Sequence, residues 1–79
     1  MKQFVYSPKS LGIALKRYRK LKGLNQNEVA QSFKLEQSTI SHVENGVPGT
    51  RLDTLFRILA SLDLEMVIQK KTSNEEIEE

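Results

Sequence analysis

The chain has 79 residues and no cysteine, so it is one small domain that neither a disulfide nor a thiolate metal site can reinforce. No apolar run approaches the roughly 20 residues of a membrane span, and the N-terminus lacks the apolar segment of a signal peptide, so we expect a cytoplasmic protein. All 12 basic residues and six of the ten acidic ones lie within 1–71, which gives that part a charge of +6. Such a basic body favours a polyanionic partner, although a solvated helix face would carry similar charges.

The first predicted helix begins after Ser7, a favourable N-cap, with Pro8 at its first position. Gly23 is predicted to end it in the left-handed conformation. Its apolar residues recur at helical spacing, and cations are predicted to surround them on the solvent side. The apolar set is Leu11, Ile13, Ala14, Leu15, Tyr18 and Leu21, and the cationic set is Lys16, Arg17, Arg19, Lys20 and Lys22.

Two short helices follow. Asn25 and Glu28 have the spacing of a capping box, which predicts a helix that runs to about Phe33. Lys34 and Leu35 then form a short turn, and a third helix is predicted over about Gln37–Glu44, with Asn45 and Gly46 after it. The inward residues are predicted to be Val29, Ala30 and Phe33 on the first of these helices and Ile40 and Val43 on the second.

A fourth helix is predicted after Thr50, whose hydroxyl would cap it, with Asp53 in its first turn. Its apolar residues are Leu52, Leu55, Phe56, Ile58 and Leu59. From Leu64 to Lys70 the apolar period changes to two, which predicts a strand. The overall expectation is an all-α bundle of four or five helices with one C-terminal β-strand.

A single strand has no partner inside a helical domain. It could pair with residues 4–6 or, as we expect, with its own copy across a two-fold axis, which would make a homodimer. The predicted dimer interface is therefore Leu64, Met66 and Ile68. Residues 72–79 carry four glutamates and are predicted to be a disordered acidic tail, while 1–71 form the domain.

The pair of short helices is the segment that points to a function. Two helices joined by a tight turn, the second with a polar exposed face, form the helix-turn-helix arrangement, whose second helix fits the major groove of DNA. The amide of Gln37 and the hydroxyls beside it are groups that contact base edges, and that face has no apolar anchor. Similar spacing also occurs in plain helical bundles.

Residues 23–30 and 37–46, together with Leu52–Leu55, resemble the Cro/C1-type (Xre-like) helix-turn-helix family of repressors. In that family the glutamine that corresponds to Gln26 contacts a phosphate and supports the recognition helix. The resemblance implies Gln37 as the main base-contacting residue. The full predicted DNA-binding set is Gln26, Gln37, Ser38, Thr39, Ser41, His42 and Asn45.

The chain departs from the pattern of that family at two positions. Lys34 stands where glycine is frequent, so its backbone must accept a left-handed or different turn. Glu36 stands where serine or threonine is usual, and we predict that its carboxylate caps the recognition helix.

A narrower resemblance, to HipB-type antitoxins, rests on 6–8, 37–41, 44–45, Phe56 and 58–66. It implies an autorepressor that binds a palindromic operator as a dimer and also binds a HipA-type kinase toxin. The alternatives are a phage-type or restriction-control regulator without a toxin, and a protein-interaction module without DNA binding. His42 is the only histidine and no catalytic constellation is present, so we expect no metal, no cofactor and no enzymatic activity.

Overall fold

The computed structural model describes residues 2–71, which form four helices. They are α1 (Pro8–Leu21), α2 (Gln26–Ser32), α3 (Gln37–Glu44) and α4 (Leu52–Ser61). The predicted all-helical architecture is confirmed, and the bounds of α3 are those that the sequence predicted. Within residues 2–71, no helix is both long enough and apolar enough to cross a membrane. The acidic tail predicted at 72–79 lies outside the described residues.

The first two helices begin with reciprocal caps. Ser7 Oγ accepts from the Ser10 backbone N–H, and Ser10 Oγ accepts from the Ser7 N–H, both at 3.0 Å. Asn25 Oδ1 accepts from the Glu28 N–H at 2.8 Å, and Glu28 Oε1 accepts from the Asn25 N–H at 2.9 Å. Both predicted N-caps are confirmed, and each satisfies a donor that a helix start leaves unpaired.

The predicted caps of α3 and α4 are wrong in detail. Glu36 occupies the N-cap position of α3, but its side chain makes no capping hydrogen bond and instead accepts from Ser38 Oγ at 3.5 Å. Arg51, whose backbone is still extended, occupies the N-cap position of α4 instead of Thr50, and its side chain makes no capping hydrogen bond. Asp53 lies in the first turn as predicted, where its carboxylate pairs with Arg51 Nε at 3.1 Å.

All four helices end with the same backbone turn. A left-handed residue follows the C-cap, and the next N–H reaches back to a carbonyl in the last helical turn, as in the Schellman motif. The left-handed residues are Gly23, Lys34, Gly46 and Asp63, with φ of 74°, 57°, 74° and 56°. The returning N–H groups belong to Leu24, Leu35, Val47 and Leu64, at 3.2, 2.8, 3.0 and 2.9 Å. Of the two alternatives left open for Lys34, the structure has the left-handed backbone.

The core lies among the four helices and contains Leu15, Val29, Ala30, Ile40, Val43, Leu55, Ile58, Leu59 and Leu62. Phe33 was predicted to face inward, but it is 37% exposed, because α2 ends before it. Leu52 and Phe56 lie one turn apart on α4 and are 70% and 52% exposed. Some of the apolar residues of α4 therefore lie outside this core.

The strand predicted at Leu64–Lys70 is not confirmed, since residues 2–71 contain no β-strand. The backbone turn at Asp63 brings Leu64 against the core, whereas Met66 and Val67 are exposed and Ile68 is 94% exposed. Residues 4–6 form no ladder with this segment either; the two ends of the described chain meet where Lys71 Nζ lies 5.3 Å from the centre of the Tyr6 ring. A β-strand requires a hydrogen-bonded neighbouring strand, and an apolar period of two in the sequence does not show that such a neighbour exists.

Candidate nucleic-acid interface

The third helix is fixed by its apolar face and presents its polar face outward. Ile40 and Val43 are buried, as predicted, against a core that includes Val29 and Ala30 of α2. The small side chain of Ala30 permits the close crossing of the two helices. On the opposite side Gln37, Ser38 and His42 are exposed, whereas Thr39 and Ser41 are half-buried.

The predicted pair of glutamines meets at the start of the two helices. Gln26 is the first residue of α2 and Gln37 is the first residue of α3. Gln37 Nε2 donates to Gln26 Oε1 at 3.4 Å, and Gln26 Nε2 donates to Glu44 Oε1 at 3.1 Å. An amide has two N–H donors and one carbonyl acceptor, so this arrangement leaves Gln37 a carbonyl and an N–H for another partner.

Glu44, at the end of α3, forms a buried ion pair that the sequence interpretation missed. Arg19 Nε lies 2.6 Å from Glu44 Oε2, and Arg19 Nη2 lies 3.0 Å from Glu44 Oε1. Arg19 Nη1 also donates to the Leu24 carbonyl at 2.8 Å. The hydrogen bond to Glu44 raises the pKa of Arg19 above its ordinary value, with a smaller opposing effect from burial, so the guanidinium stays charged.

Arg19 was predicted to be one of the surface cations of α1, and that prediction is wrong, because it is 8% exposed. The sequence contains a signal for its burial. Arg19 follows Leu15 by four residues, and Glu44 follows Ile40 by four residues, so both charges lie on faces whose apolar residues are buried.

Gly12 was also missed, although it brings α1 close to the end of α3. A Cβ atom at this position would lie 2.4 Å from the Val43 carbonyl oxygen and 2.5 Å from the Glu44 carbonyl oxygen. A glycine inside a helix costs about 1 kcal/mol relative to alanine, and close packing against α3 accounts for it at this position. The absence of a side chain at Gly12 therefore allows α1 to approach the end of α3 closely.

The far end of α3 opens on a cleft of about 260 Å³ with a mixed polar and apolar lining, which leads to the start of α4. Polar groups along it include Thr39, His42, Thr50 and Arg51. Asn45, at the C-cap of α3, is exposed and donates to Ser41 Oγ at 3.4 Å. Arg51 was not among the predicted DNA-binding residues, although it is the sole cation between α3 and Phe56 in the sequence.

The exposed face of α3 thus carries amide, hydroxyl and imidazole groups on a helix that a neighbouring helix holds from behind. A major groove about 12 Å wide admits such a helix, and these groups match the donors and acceptors on base edges. No group of three His, Cys, Asp or Glu residues in 2–71 could hold a metal ion. The fold and this face together define a helix-turn-helix domain.

Comparison with known proteins agrees with that class. Residues 15–77 match the model of the helix-turn-helix family. Antitoxin HipB of Escherichia coli (strain K12) is 42% identical over 66 residues, which cover 84% of this chain and 75% of that protein. The ImmF control region 10 kDa protein of Bacillus phage phi105 is 36% identical over 73 residues, which cover 90% of this chain and 79% of that protein.

Solved structures give the same result. A HipA-HipB-O2-O3 complex contains a chain that matches with a TM-score of 0.83 and 39% identity, over 90% of this chain and 100% of that one. A HipB-O4 20mer complex matches with a TM-score of 0.84 and 39% identity, with the same coverage. The chain belongs to the helix-turn-helix family and, within it, to the HipB-type antitoxins.

Proposed function

We propose that this chain is a cytoplasmic, sequence-specific DNA-binding autorepressor, which inserts α3 into the major groove of a palindromic operator. The observation that supports this most is the exposed polar face of α3, with Gln37 held at its start by Gln26. Gln37, Ser38, Ser41 and His42 would contact bases, while Gln26, Thr39 and Asn45 would contact phosphates. Two recognition helices of a dimer would lie about 34 Å apart, one turn of DNA.

The test uses a duplex that the wild-type protein selects from a random pool. Gln37→Ala removes a bidentate amide and should weaken binding to this duplex by about 1–3 kcal/mol and relax one base position. Gln31→Ala is the matched control, because Gln31 is an exposed glutamine on α2 that is not among the residues proposed to contact DNA. Equal affinities for wild type and Gln37→Ala would refute this assignment.

We further propose that the chain is the antitoxin of a HipA-type kinase toxin and has no enzymatic role itself. This is supported by the 42% identity to antitoxin HipB and by the match to the HipB chain of a HipA-HipB-O2-O3 complex. The alternative, a phage-type or restriction-control regulator without a toxin, is favoured by the 36% identity to the phage phi105 protein. A kinase-like reading frame next to this gene, whose product forms a complex with the chain, would decide for the antitoxin.

The proposed operator complex needs a homodimer, and the exposed apolar side chains supply a surface for it. Met66 and Ile68 are exposed in the segment after α4, which forms no β-strand within 2–71, and Leu52 and Phe56 are exposed on α4. Pairing of residues 64–70 with the same segment of a second copy would satisfy the backbone of both and cover Met66 and Ile68. Leu64, which packs against the core, would form the edge of this dimer interface nearest to the core.

Ile68→Asp should convert the dimer into monomers in sedimentation experiments. Folding should be unaffected, because Ile68 is 94% exposed in the single chain. Val67→Asp introduces the same charge at the adjacent position, whose side chain would lie on the other face of the ribbon, and should leave more dimer. An Ile68→Asp variant as dimeric as wild type would place the interface elsewhere.

A further inference from the structure

The hydrogen bonds around Glu44 form one continuous path from α1 to the start of α3. Arg19 donates through Nε and Nη2 to both oxygens of Glu44. Glu44 Oε1 also accepts from Gln26 Nε2 at 3.1 Å, and Gln26 Oε1 accepts from Gln37 Nε2 at 3.4 Å. A buried ion pair is therefore connected through one side chain to the residue proposed to contact a base.

We infer that Arg19 and Glu44 are positioning residues for DNA recognition, which fix the orientation of the Gln37 amide through Gln26 and thereby set a preference for adenine. The inference rests on the proposed DNA-binding function. It concerns the buried pair, which is itself too far inside the fold to contact DNA.

The carboxylate of Glu44 determines which amide group donates and which accepts in each hydrogen bond of this path. An ionised carboxylate only accepts hydrogen bonds, so Gln26 must turn its amide nitrogen toward Glu44. Its carbonyl then faces Gln37, which must donate in turn. Gln37 keeps its own carbonyl and one N–H, the pair of groups that bonds N6–H and N7 of adenine.

Arg19 holds the Glu44 carboxylate in the position in which it can accept the hydrogen bond from Gln26. Two of its nitrogens contact the carboxylate and a third donates to the Leu24 carbonyl at 2.8 Å, so the guanidinium is held on three sides. Without these contacts the Glu44 carboxylate would be free to turn away from Gln26, and the amide orientations along the path would no longer be determined.

Stability alone gives no strong reason for a charged pair at this place. Well-packed apolar residues of similar volume often replace a buried ion pair without loss of stability. What an apolar pair cannot supply is the acceptor for Gln26. The double variant Arg19→Met/Glu44→Leu therefore separates the positioning role from the packing role.

The experiment compares two duplexes for each full-length variant: the one that the wild type selects from a random pool, and the same duplex with its A·T pair replaced at the position that Gln37→Ala relaxes. For Arg19→Met/Glu44→Leu we expect the preference for adenine to fall about tenfold, the discrimination of one bidentate contact. Affinity for a scrambled duplex should stay at the wild-type value. Removing the exposed pair by Lys22→Met/Asp63→Leu is the matched control and should keep the preference.

Gln26→Ala supplies the second measurement, because Gln26 is at the helix surface and its replacement leaves the core intact. It should lower the preference as much as the double variant does, and combining all three substitutions should lower it no further. Wild-type preference in either Gln26→Ala or a folded double variant would overturn the inference and leave the proposed function standing. A wild type that shows no base preference at all would instead overturn the proposed function, and the inference with it.

Discussion

Two ion pairs in this molecule have the same length and different surroundings. Arg19–Glu44 and Lys22–Asp63 both have a nitrogen–oxygen distance of 2.6 Å. The side chains of the first pair are 9% and 4% exposed, whereas those of the second are 39% and 83% exposed. Burial removes water that would otherwise compete for these charges, so distance alone does not determine what each pair contributes.

The two pairs also connect different parts of the fold. The buried one links α1 to the end of α3 and, through Gln26, to the proposed DNA-contacting face. The exposed one joins the end of α1 to the turn after α4, where Asp63 has a left-handed backbone. We therefore expect removal of the first to affect both stability and recognition, and removal of the second to affect neither strongly.

The largest expected effect is that of Glu44→Ala, which leaves Arg19 buried without its counter-charge. Removing one partner of a buried pair typically costs about 3–5 kcal/mol of the free energy of unfolding. Asp63→Ala is the matched control, and it should leave the urea midpoint close to that of the wild type, because water already screens that pair. Similar losses of unfolding free energy in both variants would show that burial does not determine how much each pair contributes to stability.

A smaller loss is expected for Gly12→Ala, which tests the close approach of α1 and α3 beside the buried pair. The new Cβ would lie 2.4 Å from the Val43 carbonyl oxygen, so the helices must move apart. Such overpacking costs about 1–3 kcal/mol in general. Lys16→Ala, at an exposed position of the same helix, is the control, and thermal unfolding measures both. A Gly12→Ala variant more stable than wild type would mean that helix propensity exceeds this steric cost.

The two left-handed positions that are not glycine sharpen the comparison further. Lys34→Gly relieves the strain of a left-handed residue with a side chain and should raise the free energy of unfolding by about 0.5–1 kcal/mol. Asp63→Gly relieves the same strain but removes the contact to Lys22, so it should raise the free energy of unfolding by less than Lys34→Gly does. Urea titrations of both variants measure the difference, and a loss of stability in Lys34→Gly would contradict the account of this turn.

The smallest effect is a pH dependence of the exposed pair. The hydrogen bond from Lys22, followed by its Coulombic attraction, lowers the pKa of Asp63 below its ordinary value of 3.8. Because the folded state holds this proton less tightly than the unfolded state, the contribution is present above pH 3.8 and is lost as the pH falls through the lowered pKa. The Tm difference between wild type and Asp63→Asn should therefore be small near neutrality and vanish in stronger acid. A difference that grows in acid would have the wrong sign.

Local signals explain which features the sequence predicted. The caps at Ser7 and Asn25 and the bounds of α3 depend on neighbouring residues, and the structure has each of them. At Lys34 the structure has the left-handed turn, which was one of two alternatives that the sequence left open. Arg19 and Glu44 are 25 residues apart, so their pairing depends on how α1 and α3 pack, which no local pattern contains.

The same reasoning explains the expectations that the structure does not confirm. The alternation in residues 64–70 indicates two different faces but not which neighbour completes a strand. The apolar spacing of α4 includes Leu52 and Phe56, and spacing cannot separate a core residue from one available to a second copy. For the DNA interface, the sequence predicted the exposure of Gln37, Ser38 and His42, whereas Ser41, also predicted to face outward, is half-buried. The path from Arg19 to Gln37 required the structure.

The most direct test of the central claim is to measure how tightly the purified chain binds the DNA upstream of its own gene and a scrambled duplex, over a series of salt concentrations. We predict a preference of about 10³ or more for the upstream DNA, with affinity that falls steeply as salt rises, since phosphate contacts release counterions. Equal and weak binding to both duplexes would contradict the claim that the polar face of α3 recognises a DNA sequence.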